Sequence, residues 1–194
     1  DAMRRQCLGA LTAFLQKTAV RKANHLDIAC GTGRFLVMLK DARPRLRVTG
    51  TDLSQPYLRE TQRNLADWSR TGLVHANAEE LPFADASYDT LSCVFLFHEL
   101  PQKARLRAAA EMARVLKPGG RLFFLDSLQI GDRPDYDDLL RRFPVAFHEP
   151  YYHDFITSDL ISMFEESGLR ILRTQREFFA KLLVAEKPRR LTTD

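Results

Sequence analysis

Two glycines and one aspartate have the spacing of a site for a nucleotide-like ligand. Gly31 and Gly33 follow a short predicted strand and open a predicted helix, where a ligand can approach the backbone and the first N–H groups are free. Asp52 ends the next predicted strand, 19 residues after Gly33, and a carboxylate there can accept hydrogen bonds from both hydroxyls of a ribose. A plain tight turn and a helix N-terminal acid are the structural alternatives. Leu36 stands where the third glycine of a dinucleotide fingerprint would fall, which argues against a nicotinamide or flavin dinucleotide.

Polar residues also follow the third and fourth predicted strands. Asn77 comes directly after the third strand, and its amide can pair with the edge of an adenine ring. His98 and Glu99 follow the fourth strand, where a ligand of an open parallel sheet binds. His98 is therefore the first candidate for a base, with Glu99 to orient it or couple to its charge. A capping or surface role for His98, just before Pro101, is the alternative, and Asp89, at the start of its strand, is interpreted as structural.

A connection of 30 residues, 127–156, separates a predicted strand from the next helix. A connection of this length is typical of a lid or contains an element of its own, and we expect a short helix over 134–143. Its aromatic rings suit a cover over a planar organic acceptor, or they only anchor the loop to the sheet. Neighbouring His–acid pairs raise a metal-assisted alternative, but no two histidines are spaced i, i+4, so no metal site is predicted. The predicted lid residues are Phe147, His148, Tyr151 and Tyr152.

Composition predicts a soluble protein with a single domain. The chain has 194 residues, of which 45% are hydrophobic and 28% charged, and its longest apolar runs are far shorter than the ~18 residues of a spanning helix. No secretory signal is visible, and three cysteines without a C-x-x-C pair indicate reduced thiols and a cytoplasmic location. The net charge of +4 is scattered, mostly over arginines, which disfavours a nucleic-acid partner.

The hydrophobic period alternates between strand and helix along the chain, which predicts a parallel sheet with helices on both faces. Two final strands are too close for a crossover helix, so they must pair as an antiparallel hairpin. The prediction is an α/β, Rossmann-like sheet of seven strands, six parallel and one antiparallel. We expect a helix from Ser54 to about Arg70, and a turn at Pro118–Gly120 before the fifth strand. The predicted segments are an N-terminal helix (1–23), a cofactor-binding core (24–126), a substrate lid (127–156), and a C-terminal helix and hairpin (157–194).

Four motifs in order resemble those of class I S-adenosylmethionine-dependent methyltransferases. They are DIACGTGRF at 27–35, EELPF at 79–83, SYD at 87–89 and VLKPGG at 115–120. The resemblance covers about residues 24–126, and the predicted hairpin also fits that fold. Within the family, the chain is most similar to the small-molecule branch that includes ubiquinone and menaquinone C-methyltransferases.

The resemblance implies S-adenosylmethionine as cofactor and a role for each matching position. Asp27 and the backbone of Ala29 and Gly31 would hold the methionine end, and Asp52 would take the ribose. Two residues depart from the family pattern, since Ala29 replaces the usual first glycine and Asn77 a usual acid. Leu53, Asn77 and Ala78 would contact the adenine, and Phe95 would close over the cofactor. The implied cofactor-binding residues are Asp27, Ala29, Gly31, Gly33, Asp52, Leu53, Asn77, Ala78 and Phe95.

The predicted reaction is methyl transfer to a small aromatic or conjugated acceptor. The sulfonium already provides a good leaving group, so the protein must mainly align the acceptor and exclude water, with His98 as the base. The sequence after the fourth strand lacks the Asp/Asn-Pro-Pro-aromatic segment of methyltransferases that act on base amino groups. An RNA or protein methyltransferase and a non-catalytic S-adenosylmethionine-binding module are the alternatives.

Overall fold

The structure is a computed structural model that describes residues 1–17 and 23–189, without the side chains of 17 and 145–147. Within this part of the chain seven strands alternate with helices, and two single-turn 3₁₀ helices lie at 97–99 and 134–136. The strands are β1 (Asn24–Ile28), β2 (Arg47–Asp52), β3 (Thr71–His75), β4 (Tyr88–Val94), β5 (Leu116–Ser127), β6 (Arg170–Glu177) and β7 (Ala180–Glu186). The α-helices are α1 (Ala2–Lys17), α2 (Arg34–Ala42), α3 (Gln55–Asn64), α4 (Gln102–Val115), α5 (Asp137–Phe147), α6 (Tyr152–Thr157) and α7 (Leu160–Glu166).

The strands form one sheet in the order β3-β2-β1-β4-β5-β7-β6. Neighbours from β3 to β5 are parallel, whereas β7 is antiparallel to both β5 and β6. Six strands therefore share one direction and β7 is reversed, which confirms the predicted fold class. The strand order reverses between β1 and β4, and the crevice at the carboxyl ends of these two strands is where such sheets bind ligands.

Two hydrophobic layers cover the two faces of the sheet. On one face α1 and α2 pack on the side chains of Phe123, Leu125 and Leu182. On the other face α4, α6 and α7 pack on Leu91 and Phe124. Because successive residues of a strand point to opposite faces, Phe123 and Phe124 supply different layers. Among the described helices, none is both long and apolar enough to cross a membrane.

Two local predictions are wrong. The helix expected to reach Arg70 ends at Asn64, because the chain turns there to bury Leu65 and Trp68, whose indole N–H donates to the carbonyl of Pro44 at 2.9 Å. The turn expected at 118–120 lies inside β5. There the segment joins the sheet by pairing with residue 187, although Gly119 has a left-handed φ of 80°: the Gly119 N–H donates to the Lys187 carbonyl, and the Lys187 N–H donates to that of Gly120.

The segment 127–156 contains more regular structure than the sequence indicated. The short helix expected over 134–143 is a 3₁₀ turn followed by α5, which continues to Phe147, and α6 follows as a second helix. Asp132 anchors the start of the segment to β7, since its carboxylate lies 2.6 Å from the Nζ of Lys181. Asp89 has the structural role expected of it: it accepts hydrogen bonds from the backbone of Asn24 and from Lys117.

Candidate active site

The loop after β1 is fixed in a left-handed conformation. Ala29, Gly31 and Gly33 have φ values of 56°, 57° and 78°. At Gly33 a Cβ atom would lie 2.7 Å from Cγ2 of Thr61, so both the backbone and the space there require glycine. The hydroxyl of Thr61 also donates to the Gly31 carbonyl at 2.7 Å, which ties the loop to α3. The result is a rigid backbone concavity at the start of α2.

The carboxylate of Asp52 is oriented by backbone donors on both oxygens. The N–H of Gly31 donates to its Oδ2 and the N–H of Ser54 to its Oδ1, each at 2.8 Å. A carboxylate has about four acceptor sites, so this arrangement leaves acceptor capacity on both oxygens. Asp52 lines the cavity at the carboxyl ends of the strands, where its oxygens can accept further hydrogen bonds from a ligand.

Asp27 has a buried carboxylate that is only half satisfied. Its Oδ1 accepts a hydrogen bond from the Ser92 hydroxyl, whereas its Oδ2 has no partner among the described residues. Burial raises the pKa of Asp27 to about 7, although the hydrogen bond from Ser92 and the charge of Arg4 act in the opposite direction. A buried, unpartnered carboxylate oxygen beside a cavity is suited to a cationic ligand group.

A cavity of about 810 Å³ connects these groups. Gly33 does not line it, but it precedes the first residue of α2. Asn77 lines it with its Oδ1 accepting the N–H of Glu79 at 3.0 Å, which leaves one lone pair free. A groove of similar volume around Arg47 and Arg70, at the opposite ends of the strands, contains none of the predicted residues. The predicted cofactor residues that line the first cavity, here called the cofactor cavity, are Asp27, Ala29, Gly31, Asp52, Leu53, Asn77, Ala78 and Phe95.

His98 lies in the 3₁₀ turn after β4 and is paired with a carboxylate that the sequence analysis did not select. Its Nδ1 lies 2.6 Å from Oδ1 of Asp126, a fully buried residue in β5. The other oxygen of Asp126 accepts the N–H groups of Phe97 at 2.8 Å and Leu96 at 3.2 Å. Glu99 is more distant, with its Oε1 3.8 Å from Nε2 of His98. Asp126, rather than Glu99, therefore holds the imidazole.

The environment of His98 favours its charged form. Burial alone would lower the pKa of His98, but the hydrogen bond and charge of Asp126, with smaller contributions from Glu99 and Glu149, outweigh burial and raise it above its usual value. Burial raises the pKa of Glu99, and the charge of Glu149 adds to this effect. Since Asp126 accepts at Nδ1, the Nε2 atom of a neutral His98 is left as the acceptor.

His98 opens onto a second cavity of about 350 Å³, here called the acceptor cavity. Phe95 lines both cavities and has a φ of 60°, a costly conformation for a residue with a large side chain. No lysine or arginine of the described residues lines the acceptor cavity, and its walls are mainly apolar. The residues that line it are Met3, Phe95, His98, Ser127, Leu139, Leu140, Phe143, Glu149, Tyr152 and Phe179.

The predicted lid residues occupy different places. Tyr152 is buried, lines the acceptor cavity, and lies with its hydroxyl 2.5 Å from that of Ser127. His148 caps the end of α5 with a φ of 55° and is exposed, and Tyr151 is also exposed; neither lines the cavity. The side chain of Phe147 lies outside the described part of the chain. Sequence reasoning missed Leu139 and Leu140 on α5, whose aliphatic side chains carry no chemical signal.

Comparison with known proteins identifies similar sequences over the predicted cofactor-binding core. A family model described as a methyltransferase domain matches residues 26–120. The demethylmenaquinone methyltransferase of Bacillus licheniformis is 36% identical over 108 residues, which are 55% of this chain and 46% of that protein. The enzyme of the same name from Staphylococcus aureus is 38% identical over 117 residues, or 59% and 48%. The chain spans about half the length of these curated relatives.

Solved structures show the same fold over most of the chain. The 1,6-didemethyltoxoflavin-N1-methyltransferase of Burkholderia thailandensis, solved with bound 1,6-didemethyltoxoflavin and S-adenosylhomocysteine, has a TM-score of 0.71 at 19% identity, covering 97% of this chain and 79% of that chain. A SAM-dependent methyltransferase from Aquifex aeolicus has a TM-score of 0.63 at 19% identity, covering 85% and 82%. The family match and the curated relatives confirm the resemblance to class I S-adenosylmethionine-dependent methyltransferases, and these structures show the same fold.

Proposed function

We propose that this chain uses S-adenosylmethionine to methylate a small, uncharged, aromatic or conjugated acceptor, with His98 as the base. The observation that carries the proposal is the position of Phe95, which lines both the cofactor cavity and the acceptor cavity. Two ligands bound on either side of one side chain are held next to each other, and methyl transfer depends on that alignment.

The cofactor cavity fits S-adenosylmethionine group by group. The unpartnered Oδ2 of Asp27 suits the ammonium of the amino-acid end, and the oriented carboxylate of Asp52 suits the two ribose hydroxyls. Leu53 and Asn77 lie in the same cavity, where they would contact the adenine. When bound, the cofactor supplies a methyl group on a positively charged sulfur, so the protein need not protonate the leaving group.

The walls of the acceptor cavity favour a flat, uncharged molecule. Aromatic and aliphatic side chains form most of its surface, while Glu149 and the absence of a lining lysine or arginine among the described residues disfavour an anionic acceptor. The curated relatives are named for methylation of demethylmenaquinone. We therefore propose a hydroquinone or related phenol as the acceptor class.

In this proposal His98 accepts the proton that the acceptor loses. Asp126 holds Nδ1–H of the imidazole, so Nε2 takes the proton of an acceptor hydroxyl and Asp126 stabilises the resulting imidazolium. If the methyl group is added to a ring carbon, the hydrogen of that carbon then moves to the deprotonated oxygen, so one proton is released in total. The hydroxyls of Tyr152 and Ser127, which share a hydrogen bond, provide two further polar groups in a mainly apolar wall.

The proposal keeps the segments expected from the sequence, with 24–126 as the cofactor-binding core and 127–156 as the substrate lid. Six of the ten residues that line the acceptor cavity come from this lid segment. The partner is then a small molecule rather than a nucleic acid. The three free cysteines fit a reducing compartment, so the cytoplasm is the proposed location.

The test combines binding with turnover. Calorimetric titration should give micromolar binding of S-adenosylhomocysteine and no binding of NAD. A reduced, short-chain demethylmenaquinone should then gain one methyl group, measured by mass spectrometry. His98→Ala should reduce turnover by about 10²- to 10⁴-fold while it leaves the affinity for S-adenosylhomocysteine within about twofold. His153→Ala is the matched control, because His153 is exposed and lines neither cavity.

The alternatives predict different results. If S-adenosylhomocysteine does not bind the wild-type chain, the proposed cofactor is wrong. If it binds but phenols, hydroquinones and amines gain no methyl group, the acceptor is a macromolecule or the chain is a non-catalytic binding module. If His98→Ala turns over normally, the base is another group.

A further inference from the structure

Arg4 is a cation in the cofactor cavity that the sequence analysis did not select. It lies in the first turn of α1 and is half buried, with its guanidinium carbon 5.1 Å from the centre of the Phe95 ring. Among the described residues its guanidinium forms no hydrogen bond or ion pair with an acid. A guanidinium group that is partly buried normally pairs with an acid. Arg4 has no such partner among residues 1–17 and 23–189, so its N–H donors are available to a ligand in the cavity.

Within the described part of the chain, the other arginine that lines the cavity is paired with an acid, whereas Arg4 is not. Arg34 also lines the cavity, but its Nε lies 2.8 Å from the carboxylate of Asp1 and its side chain is largely exposed. Burial lowers the pKa of Arg4 and the charge of Arg34 lowers it further, whereas the carboxylate of Asp27 acts in the opposite direction. Two arginines near one point make a local field that attracts an anion.

Arg4 and Asp27 are also unpaired with each other. They line the same cavity and feel each other's charge, yet no nitrogen of Arg4 comes within 4.0 Å of a carboxylate oxygen of Asp27 in an ion pair. A buried carboxylate oxygen and a half-buried guanidinium that face one cavity without touching are complementary to a zwitterion. The amino-acid end of S-adenosylmethionine carries an ammonium and a carboxylate on one carbon atom.

We propose that Arg4 binds the α-carboxylate of the cofactor while Asp27 binds its ammonium, so that the first turn of α1 forms part of the cofactor site. This inference depends on the proposed function for the identity of the cofactor. It adds a residue from outside the matched family region 26–120. In this arrangement the cation–π contact with Phe95 positions the guanidinium of Arg4 beside the cavity when no ligand is bound.

The test compares two ligands on three variants. The ligands are S-adenosylhomocysteine and its decarboxylated analogue, which keeps the ammonium and lacks the carboxylate. By calorimetry, Arg4→Ala should weaken S-adenosylhomocysteine about 10- to 100-fold and change the decarboxylated analogue by less than about twofold. Arg4→Lys should lie between the two, since lysine keeps the charge but not the planar fork. Arg5→Ala is the control, because Arg5 is exposed, lies outside the cavity, and carries the same charge.

The outcomes distinguish this inference from the proposed function. If the wild-type chain binds neither ligand, the cofactor proposal fails. If the wild-type chain binds S-adenosylhomocysteine and Arg4→Ala binds it equally well, or if Arg4→Ala weakens both ligands to the same extent, Arg4 does not bind the carboxylate. A loss of affinity for S-adenosylhomocysteine in Arg5→Ala equal to that in Arg4→Ala would assign the effect to net charge and overturn the inference.

Discussion

Replacing Asp126 by asparagine removes the charge beside His98 with little change in shape. Oδ1 of Asp126 accepts Nδ1–H of His98 and the N–H of Ser127, and Oδ2 accepts the N–H groups of Phe97 and Leu96. An asparagine has a single acceptor oxygen, so its amide NH₂ must face either the N–H groups of Phe97 and Leu96, or His98 together with the N–H of Ser127. With NH₂ towards His98, Nδ1 becomes the acceptor and Nε2 carries the hydrogen. In this tautomer Nε2 cannot act as a base.

The size of the effect follows from the burial of the pair. The side chain of His98 is 14% exposed and that of Asp126 is 0% exposed, so solvent screens their 2.6 Å contact weakly. A hydrogen bond between opposite charges in a buried pair stabilises the charged imidazole by about 2 kcal/mol. Without it, burial prevails, and the pKa of His98 should fall below its usual value. The ion pair stabilises the fold at acidic pH, and this contribution is lost as pH rises through the raised pKa.

NMR titration of the His98 ring protons measures this pKa without an acceptor. In the wild-type chain the pKa should lie above the usual value near 6.5, and in Asp126→Asn well below it. Where an acceptor is turned over, kcat should rise with pH through the wild-type pKa, and Asp126→Asn should lose most of kcat at every pH with little change in affinity for S-adenosylhomocysteine. Glu99→Gln is the control, with a smaller shift expected from its 3.8 Å separation. A wild-type pKa below 6.5, or an unchanged pKa in folded Asp126→Asn, would refute the reasoning.

Two further predictions concern the cofactor cavity. The pKa of Asp27 lies at about 7, above its usual value, so the free protein carries this proton below pH 7 and the affinity for S-adenosylhomocysteine should fall up to tenfold per pH unit there. Asp27→Asn should abolish this pH dependence, and equal affinity at pH 6 and pH 8 in the wild type would contradict the prediction. The same variant should raise the thermal stability of the cofactor-free protein at pH 8 but not at pH 4. The reason is that the cost of the buried charge, at most about 4 kcal/mol, appears as pH rises from 4 to 7. Gly33→Ala should destabilise by about 2–4 kcal/mol in denaturant unfolding, because the new Cβ meets Thr61 at 2.7 Å in addition to the left-handed strain. Gly31→Ala shares the positive φ but has no neighbour within 4 Å, so it should cost only about 1 kcal/mol, and equal losses would show that strain alone decides.

The cofactor cavity could be predicted from sequence because local signals place its residues. The glycine loop and Asp52 each follow a strand, and the parallel pairing of β1 with β2 brings them together without any detail of packing. The pair of His98 and Asp126 could not be predicted in this way, since it joins residues 28 apart through the alignment of β4 with β5. An acid at the end of an otherwise apolar strand was the available signal for Asp126.

Other features depend on tertiary packing that no spacing encodes. Arg4 reaches the cofactor cavity only because α1 packs across the sheet, and its sequence context is one basic residue among several on a surface helix. The end of α3 is set by the burial of Trp68, which overrides a helical pattern that continues beyond it. Similarly, residues 118–120 belong to β5 because a strand partner is present, although a Pro-Gly-Gly sequence favours a turn and Gly119 keeps a left-handed φ of 80°.

The two cavities are lined mainly by different segments of the chain, so the residues of one can change without changing those of the other. Only Phe95 and His98 of the ten residues around the acceptor cavity fall within 26–120, while α1, the segment 127–156 and the tip of the β6–β7 hairpin supply the other eight. Under the proposed function, substitutions in these three segments should alter acceptor preference while the strand ends that line the cofactor cavity stay unchanged. Grafting these segments onto a relative should then transfer selectivity for the acceptor.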